Sequence, residues 1–353
     1  MAKLKRDTVE PHEDYGFFGP GSVVWKVWSY PTAPTVGFQR SVVVEELDPP
    51  LVAAVHATQG IYQRSRTRYD RTLKYFAMVA FAGSQQVCKA ADILVKVHSK
   101  AIGQLPYGDG TYDANDPASQ LWIQLTGWHS ILYAYEKYGP GKLTEQEETE
   151  YWEACAVAAE LQTCSPDDIP RSREGVRAYF ERMRPQLSAS PIARQAMHHL
   201  LRTELVLPPV PRWAKPASMV VARTQRIATI ATMPRWMREM AGIRQSRLLD
   251  VLIVPVMKIS FALAHLHPRV ELALLGRISP STVAVVAPIK LGIPPRNKEV
   301  LTPAEARARH GYTKPAEAHL EFRARQATRV FGDGQVPSEQ GLIESQEILG
   351  PLA

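Results

Sequence analysis

The sequence predicts an all-α protein, a multi-helix bundle, and three observations carry that expectation. Apolar residues recur at spacings of three and four along most of the chain. No alternating strand-like run of any length and no fixed-period repeat interrupts them. Capping signatures stand where the periodic stretches begin. With 353 residues, 45% hydrophobic and 22% charged, the chain is able to bury a sizeable core. Its three cysteines, Cys88, Cys155 and Cys164, form no CxxC pair. That fits a reducing compartment and argues against a disulfide framework or a cysteine zinc site.

Residues 1–40, rich in glycine, proline and aromatics, read as an N-terminal arm. Asp48 before Pro49 caps a short helix in "DPPLVAAVHATQGIY". "SRTRYDRTLKYFAMVAFAG" reads as a helix from Ser65 to near Gly83, with Arg68, Arg71, Thr72, Tyr75 and Val79 on one face. In "SQQVCKAADILVKVHSKAIG", Ala91, Leu94, His98, Ala101 and Ile102 form one stripe, and Lys89, Lys96 and Lys100 lie opposite. A glycine-rich turn in "PYGDGTYDANDP" leads to the helix of "ASQLWIQLTGWHSILYAYEKYG". Thr144 and Glu147 then open another with the capping-box spacing. Helical signal continues to about Leu275, so a helical domain is expected over 41–293 and a polar C-terminal extension over 294–353.

Net charge is +7, and it is concentrated. From Arg212 to Arg247, eight basic residues stand against one acid, Glu239, interleaved with Trp213, Met219, Met233 and Trp236. Such a mixture suits an anionic membrane surface; a solvated face with snorkelling arginines produces the same pattern. Nucleic acid is disfavoured, because no recognition motif accompanies the charge. The run from Leu248 to Ala264 contains Asp250, Pro255 and Lys258 and reads as a buried or interfacial helix pair rather than a span. No apolar leader follows the N-terminal charges, so the expected location is cytoplasmic, with peripheral membrane contact as the variant.

Several familiar chemistries have no motif here: no GxSxG elbow, no GxxxxGK[ST] loop, no GxGxxG, no HExxH. His265 and His267 point apart on a helix, and the adjacent His198 and His199 are no better placed to share a metal. Glu153 and Glu160 are seven apart, which surface solvation explains. His98 is different. A lone histidine on an apolar stripe is either a core residue with hydrogen-bonded ring nitrogens or the single imidazole ligand of a haem, whose faces aliphatic neighbours cover. One helix earlier, Arg68, Arg71 and Thr72 would suit the negative charge that builds on dioxygen. They are equally an arginine-rich helix start with Asp70 as ion partner, and the residues alone leave both readings open.

"RYDRT" (Arg68 to Thr72), "HSKAIG" (His98 to Gly103), "YDANDP" (Tyr112 to Pro117) and "LWIQLTGWHS" (Leu121 to Ser130) resemble, in order and spacing, the MpaB and rubber-oxygenase family, which includes latex-clearing protein. The likeness runs from roughly Gly19 to Arg244. It implies an all-helical fold with a globin-like core holding haem b. His98 would be the proximal ligand to the iron, with Leu94, Ile102 and Tyr75 against the cofactor. Arg68, Arg71 and Thr72 would be the catalytic residues of the distal side, where dioxygen binds. The implied activity is a haem-dependent oxygenase cleaving carbon–carbon double bonds of a hydrophobic, isoprenoid or lipid-like substrate. A non-catalytic haem-binding or redox-sensing protein docked at a membrane is the alternative. Arg71 stands where the rubber-cleaving branch has lysine, and Gln124 where many members have histidine, with His129 nearby. Glu45 and Glu46 are the candidates for a family glutamate.

Overall fold

Capping chemistry sets where the helices begin. In the computed structural model, which describes residues 6–107 and 109–334, the Asp48 carboxylate accepts from the Leu51 amide at 3.1 Å, and Pro49 supplies the fixed φ of a first helical position. Seventeen α-helices follow one another among the described residues. They are α1 (Val23–Trp28), α2 (Phe38–Glu45), α3 (Pro49–Thr58), α4 (Gly60–Gln63), α5 (Ser65–Phe81) and α6 (Ser84–His98). Then come α7 (Pro117–Tyr138), α8 (Glu145–Ala159), α9 (Arg173–Met183), α10 (Pro191–Leu200), α11 (Lys215–Thr232) and α12 (Arg235–Met240). The last five are α13 (Arg247–His265), α14 (Pro268–Ile278), α15 (Val283–Lys290), α16 (Pro303–His310) and α17 (Pro315–Ala327). The end of the polar extension, 335–353, lies outside the described residues.

The core is organised around α7, which packs on α1, α2, α8, α11 and α13. Its Trp122, Leu125, Trp128 and Ile131 are fully enclosed, each contributing about 1.5–3 kcal/mol of apolar burial. Trp28 from α1 meets Trp128 edge-on at 5.2 Å, so residues before position 41 join this core. Several enclosed polar groups of this core are paired. The Tyr151 hydroxyl donates to the Trp128 carbonyl at 2.8 Å, and the buried Arg40 guanidinium donates to the Ser130 hydroxyl and, at 3.3 Å, to the Thr232 carbonyl. The capping box at Thr144 and Glu147 is present with both hydrogen bonds.

Helix α5 is tied down on one flank by Asp70. Its carboxylate accepts from the Ser279 hydroxyl and from the amide and hydroxyl of Ser281, at 3.2 and 3.0 Å. Helix α6 stops at His98, short of the Gly103 suggested by periodicity. The following residues pair instead as a short antiparallel hairpin, β1 (Ile102–Gln104) with β2 (Thr111–Asp113), Gly103 opposite Tyr112. A Cβ on Gly103 would stand 2.7 Å from the Tyr112 hydroxyl, so the glycine of "HSKAIG" is what lets the tyrosine of "YDANDP" lie across it. Asn115 then donates to the Val95 carbonyl at 2.8 Å, a second bond to a last-turn carbonyl of α6 that also accepts from the Ser99 amide at 3.0 Å. Asp116 caps α7, accepting from Ala118 and Ser119. The two motifs are thus one structural unit that fixes the end of α6 where His98 sits.

The apolar run 248–264 forms one continuous helix, α13, rather than a pair, with Pro255 inside it on the exposed side. Ile253, Met257 and Phe261 face the protein; the opposite stripe faces outward. It is long and apolar enough to cross a membrane by length and composition.

Candidate active site

Helices α2, α3, α5 and α6 enclose a cavity of about 190 Å³ whose walls are mostly apolar. Arg68, Thr72 and Tyr75 enter it from α5 at spacings of four and three; Leu94 and His98 enter from α6. Glu45 and Glu46 come from the end of α2, and His199 from the end of α10. Gln120 sits beside His98, its amide donating to the Ala114 carbonyl at 2.6 Å and reaching His98 Nδ1 at 3.5 Å.

Burial shifts the titration of His98, Glu45 and Glu46. It pushes the His98 imidazole down to about 4, aided by the positive charge of Arg68, so the ring is neutral at pH 7. The long contact of Gln120 with Nδ1 is the one hydrogen bond His98 makes among the described residues, and its Nε2 has no hydrogen-bond partner there, within partial reach of the cavity. Burial raises Glu45 to about 7 and Glu46 to about 8, against the opposing pull of Arg68. Glu45 accepts from the Ser41 hydroxyl; Glu46 Oε2 is buried with no hydrogen-bond partner among the described residues. Arg68 donates to the Thr58 hydroxyl at 3.3 Å. Two acids near their midpoints, the Arg68 cation and the neutral His98 imidazole therefore share an apolar chamber, with Asp113, His199 and Arg202 also in its wall.

Of the residues singled out from the sequence, Arg68, Thr72, Tyr75, Leu94 and His98 come together in this wall. Arg71 and Ile102 do not line it. With 100° per residue, Arg71 falls about 60° short of Arg68 on the side away from the face running through Ser65, Tyr69 and Phe76. It is buried on that flank, near Lys74. Ile102 is buried in the hairpin opposite Asp113. Asp70 serves Ser279 and Ser281 rather than pairing the arginines alone.

His199 is the residue that adjacency to His198 concealed: its Nε2 lies 2.9 Å from the Ile61 carbonyl and 3.0 Å from the Ser65 hydroxyl. Gln162, also in the wall, donates to Gln124 Oε1 at 2.7 Å. Gln124 in turn donates to the Cys155 carbonyl, so it is a core link, while His129 is enclosed beside Phe180 and Tyr133. Glu153 and Glu160 pair separately with Arg171 and Arg307 and form no common site. His265 contacts Glu271, and His267 caps α14. All three cysteines are free and buried.

No group of three or more His, Cys, Asp or Glu among the described residues is arranged to hold a metal ion. A haem needs only one protein ligand to its iron, and the chemistry of the donor set fits it: one neutral, under-used imidazole nitrogen among aliphatic side chains. Arg202, exposed at the mouth, is suited to a carboxylate at the porphyrin edge. At about 190 Å³ the chamber is smaller than a haem, so holding one requires its walls to move apart.

Fold and site together define a helical ligand-chamber protein with a single imidazole donor. Residues 25–258 match the family described as "ER-bound oxygenase mpaB/B'/Rubber oxygenase, catalytic domain". The chain belongs to that family of oxygenases. No curated protein and no solved structure matches it.

Proposed function

We propose that this chain is a haem-b-dependent oxygenase that takes dioxygen and a hydrophobic, isoprenoid or lipid-like substrate in the chamber beneath His98. The observation that carries the reading is the state of His98: enclosed, neutral, and bonded at only one ring nitrogen. Most buried polar atoms in structural roles have a partner; His129 and His319, each with a buried Nδ1 lacking one, do not line this chamber, and His98 does.

In this reading His98 holds the iron, and Leu94 and Tyr75 cover the porphyrin. Haem, when bound, supplies the dioxygen chemistry that amino-acid side chains lack. The chain's own residues do the rest. Asn115 and the Gly103–Tyr112 contact fix the end of α6, so the imidazole keeps its direction. Arg68 and Thr72 present a cation and a hydroxyl to negative charge that develops in the chamber. Glu45 and Glu46, with midpoints of about 7 and 8, are each able to give or take a proton near neutral pH. The apolar walls exclude water and suit an alkene. Arg71, off the wall, is assigned no contact with substrate.

The test is the absorption spectrum of protein expressed with haem supplied. The expected result is a Soret band in wild type that is lost or shifted in His98→Ala. A band unchanged in that variant removes the ligand assignment, and no band under any loading removes haem. Dioxygen uptake with unsaturated prenyl lipids separates an oxygenase from a haem sensor, which would bind haem without turnover.

A further inference from the structure

A second and larger cavity, about 470 Å³, lies between α5, α11, α13, α14 and α15. Its inner wall is hydrocarbon and aromatic: Leu73, Ala77, Phe81, Ile131, Phe261 and Leu275. The charged groups in the wall, Glu271 and Lys290, form an ion pair with each other, so no lone charge faces the hydrocarbon. Its rim is formed by side chains that solvent should not touch: Val220 and Val221 of α11, Val256 of α13 and Leu274 of α14, between 39% and 66% exposed.

The rim continues into a wider apolar surface. Along α13, Leu248, Leu252, Val256, Ile259, Leu263 and Leu266 recur at three and four and are all at least half exposed. Met219 and Trp213, the latter 85% exposed, extend it at the start of α11. Patches of this extent on a soluble monomer mark an interface. Exposed basic residues surround it: Arg212, Lys215, Arg223, Arg244, Arg247 and Lys258. Arg238, by contrast, is buried and spent on Asp250, with a 2.8 Å bond. An apolar stripe with a cationic margin and an aromatic at its edge is the pattern of a helix lying in the headgroup region of an anionic bilayer.

We infer that this face seats the protein on an anionic membrane, and that the cavity behind it receives the aliphatic chain of a membrane lipid. Helix α13 lies in the bilayer surface, its inward stripe remaining packed on the protein. The rim valines open the cavity directly to the acyl region, so a chain enters without crossing water. Tyr69 and Val206 line both this cavity and the His98 chamber. Tyr69 is held in place by its hydroxyl on the Pro34 carbonyl at 3.1 Å. A chain laid in the outer cavity therefore ends one side chain from the proposed active site. That last step rests on the function proposed above; the seat and the chain cavity do not.

The experiment uses the full chain with two probes: vesicles of phosphatidylcholine with or without 30% phosphatidylglycerol, and the fluorescent C18 polyene cis-parinaric acid in solution. Wild type should co-sediment with the anionic vesicles at low salt, release with added salt, and bind the polyene saturably. Leu252→Glu with Ile259→Glu alters the face but not the cavity lining, and should reduce vesicle binding at least tenfold while leaving polyene binding unchanged. Ser260→Trp fills the cavity mouth and should do the reverse. His98→Ala should lose haem and keep both, so failure of the haem reading is seen separately. Polyene binding unaffected by Ser260→Trp overturns the chain cavity. Vesicle binding absent, or unaffected by the paired glutamates, overturns the membrane seat. A dimer in solution that the paired glutamates dissociate assigns the face to a second copy instead.

Discussion

Glu46 offers the sharpest physical test of the chamber. It is 3% exposed, and its Oε2 has no hydrogen-bond partner among the described residues. Burial raises its midpoint from 4.5 to about 8, and that of Glu45 to about 7. A carboxyl whose folded midpoint is raised holds its proton in the native state after the unfolded chain has lost it. Its contribution is complete below 4.5 and is lost as pH climbs through the folded midpoint. Between pH 7.0 and 8.5 the native state retains part of a proton at Glu46, and a smaller part at Glu45, that the unfolded chain does not. At about 1.36 kcal/mol per pH unit for each such proton, the haem-free protein should lose on the order of 1 kcal/mol through Glu46 and less through Glu45. Glu46→Gln removes the first contribution; the Tyr62 hydroxyl, which the Glu46 charge helps to raise, titrates above this window. Urea unfolding of both proteins at the two pH values measures the difference directly. Wild type and Glu46→Gln losing the same stability across that window would refute a protonated, buried Glu46.

Four further outcomes follow from the geometry. Arg68→Ala should alter the pH midpoint of Glu45 and Glu46 and the electronic spectrum of the haem-loaded protein, whereas Arg71→Ala should change thermal stability with little effect on either, as read by optical pH titration. Asp70→Ala strips Ser279 and Ser281 of their shared acceptor and should cost about 2–4 kcal/mol in denaturant unfolding, because a buried charged acceptor is lost. Gly103→Val should lower stability by ~1–3 kcal/mol and weaken haem retention, since its side chain displaces Tyr112 from the support of α6; equal haem affinity in that variant would detach the hairpin from His98. Trp122→Ala should cost ~3–5 kcal/mol, measured the same way, from the centre of the core.

What was legible in the sequence is what local chemistry encodes. Asp48, Thr144 and the apolar periodicity mark helices because a cap and a stripe are properties of neighbours three and four apart. Leu94 with His98 and Arg68 with Thr72 were visible for the same reason. Arg71 shows where that reasoning stops. Spacings of three and four both count as one face, yet they diverge by 100°, and only packing decides which edge meets the cavity. His199, Gln120 and Gln162 reach the chamber from α10, α7 and the loop after α8, and no spacing within a helix predicts such meetings. The hairpin escaped because three-residue strands carry no alternation; its signal was a glycine and a tyrosine nine residues apart. The run from Leu248 to Ala264 reads as a buried or interfacial helix pair, and composition cannot say that one side of the single helix α13 lacks a protein partner.

One physical cause ties the chamber together. The apolar wall that lowers His98 also raises Glu45 and Glu46, because burial disfavours a charge of either sign. Between about 4 and 7, then, a neutral imidazole and two largely protonated acids coexist, leaving Arg68 as the cation nearest them in the wall. Such a chamber accepts hydrocarbon without expelling hydrated ions first, and it keeps an imidazole lone pair available where an exposed histidine would already be protonating. Above that interval the acids ionise, and each new carboxylate draws Arg68 toward itself and away from any other anion. The same burial that makes the site fit for an apolar substrate therefore makes it responsive to pH from the alkaline side through the glutamates, and from the acid side through His98.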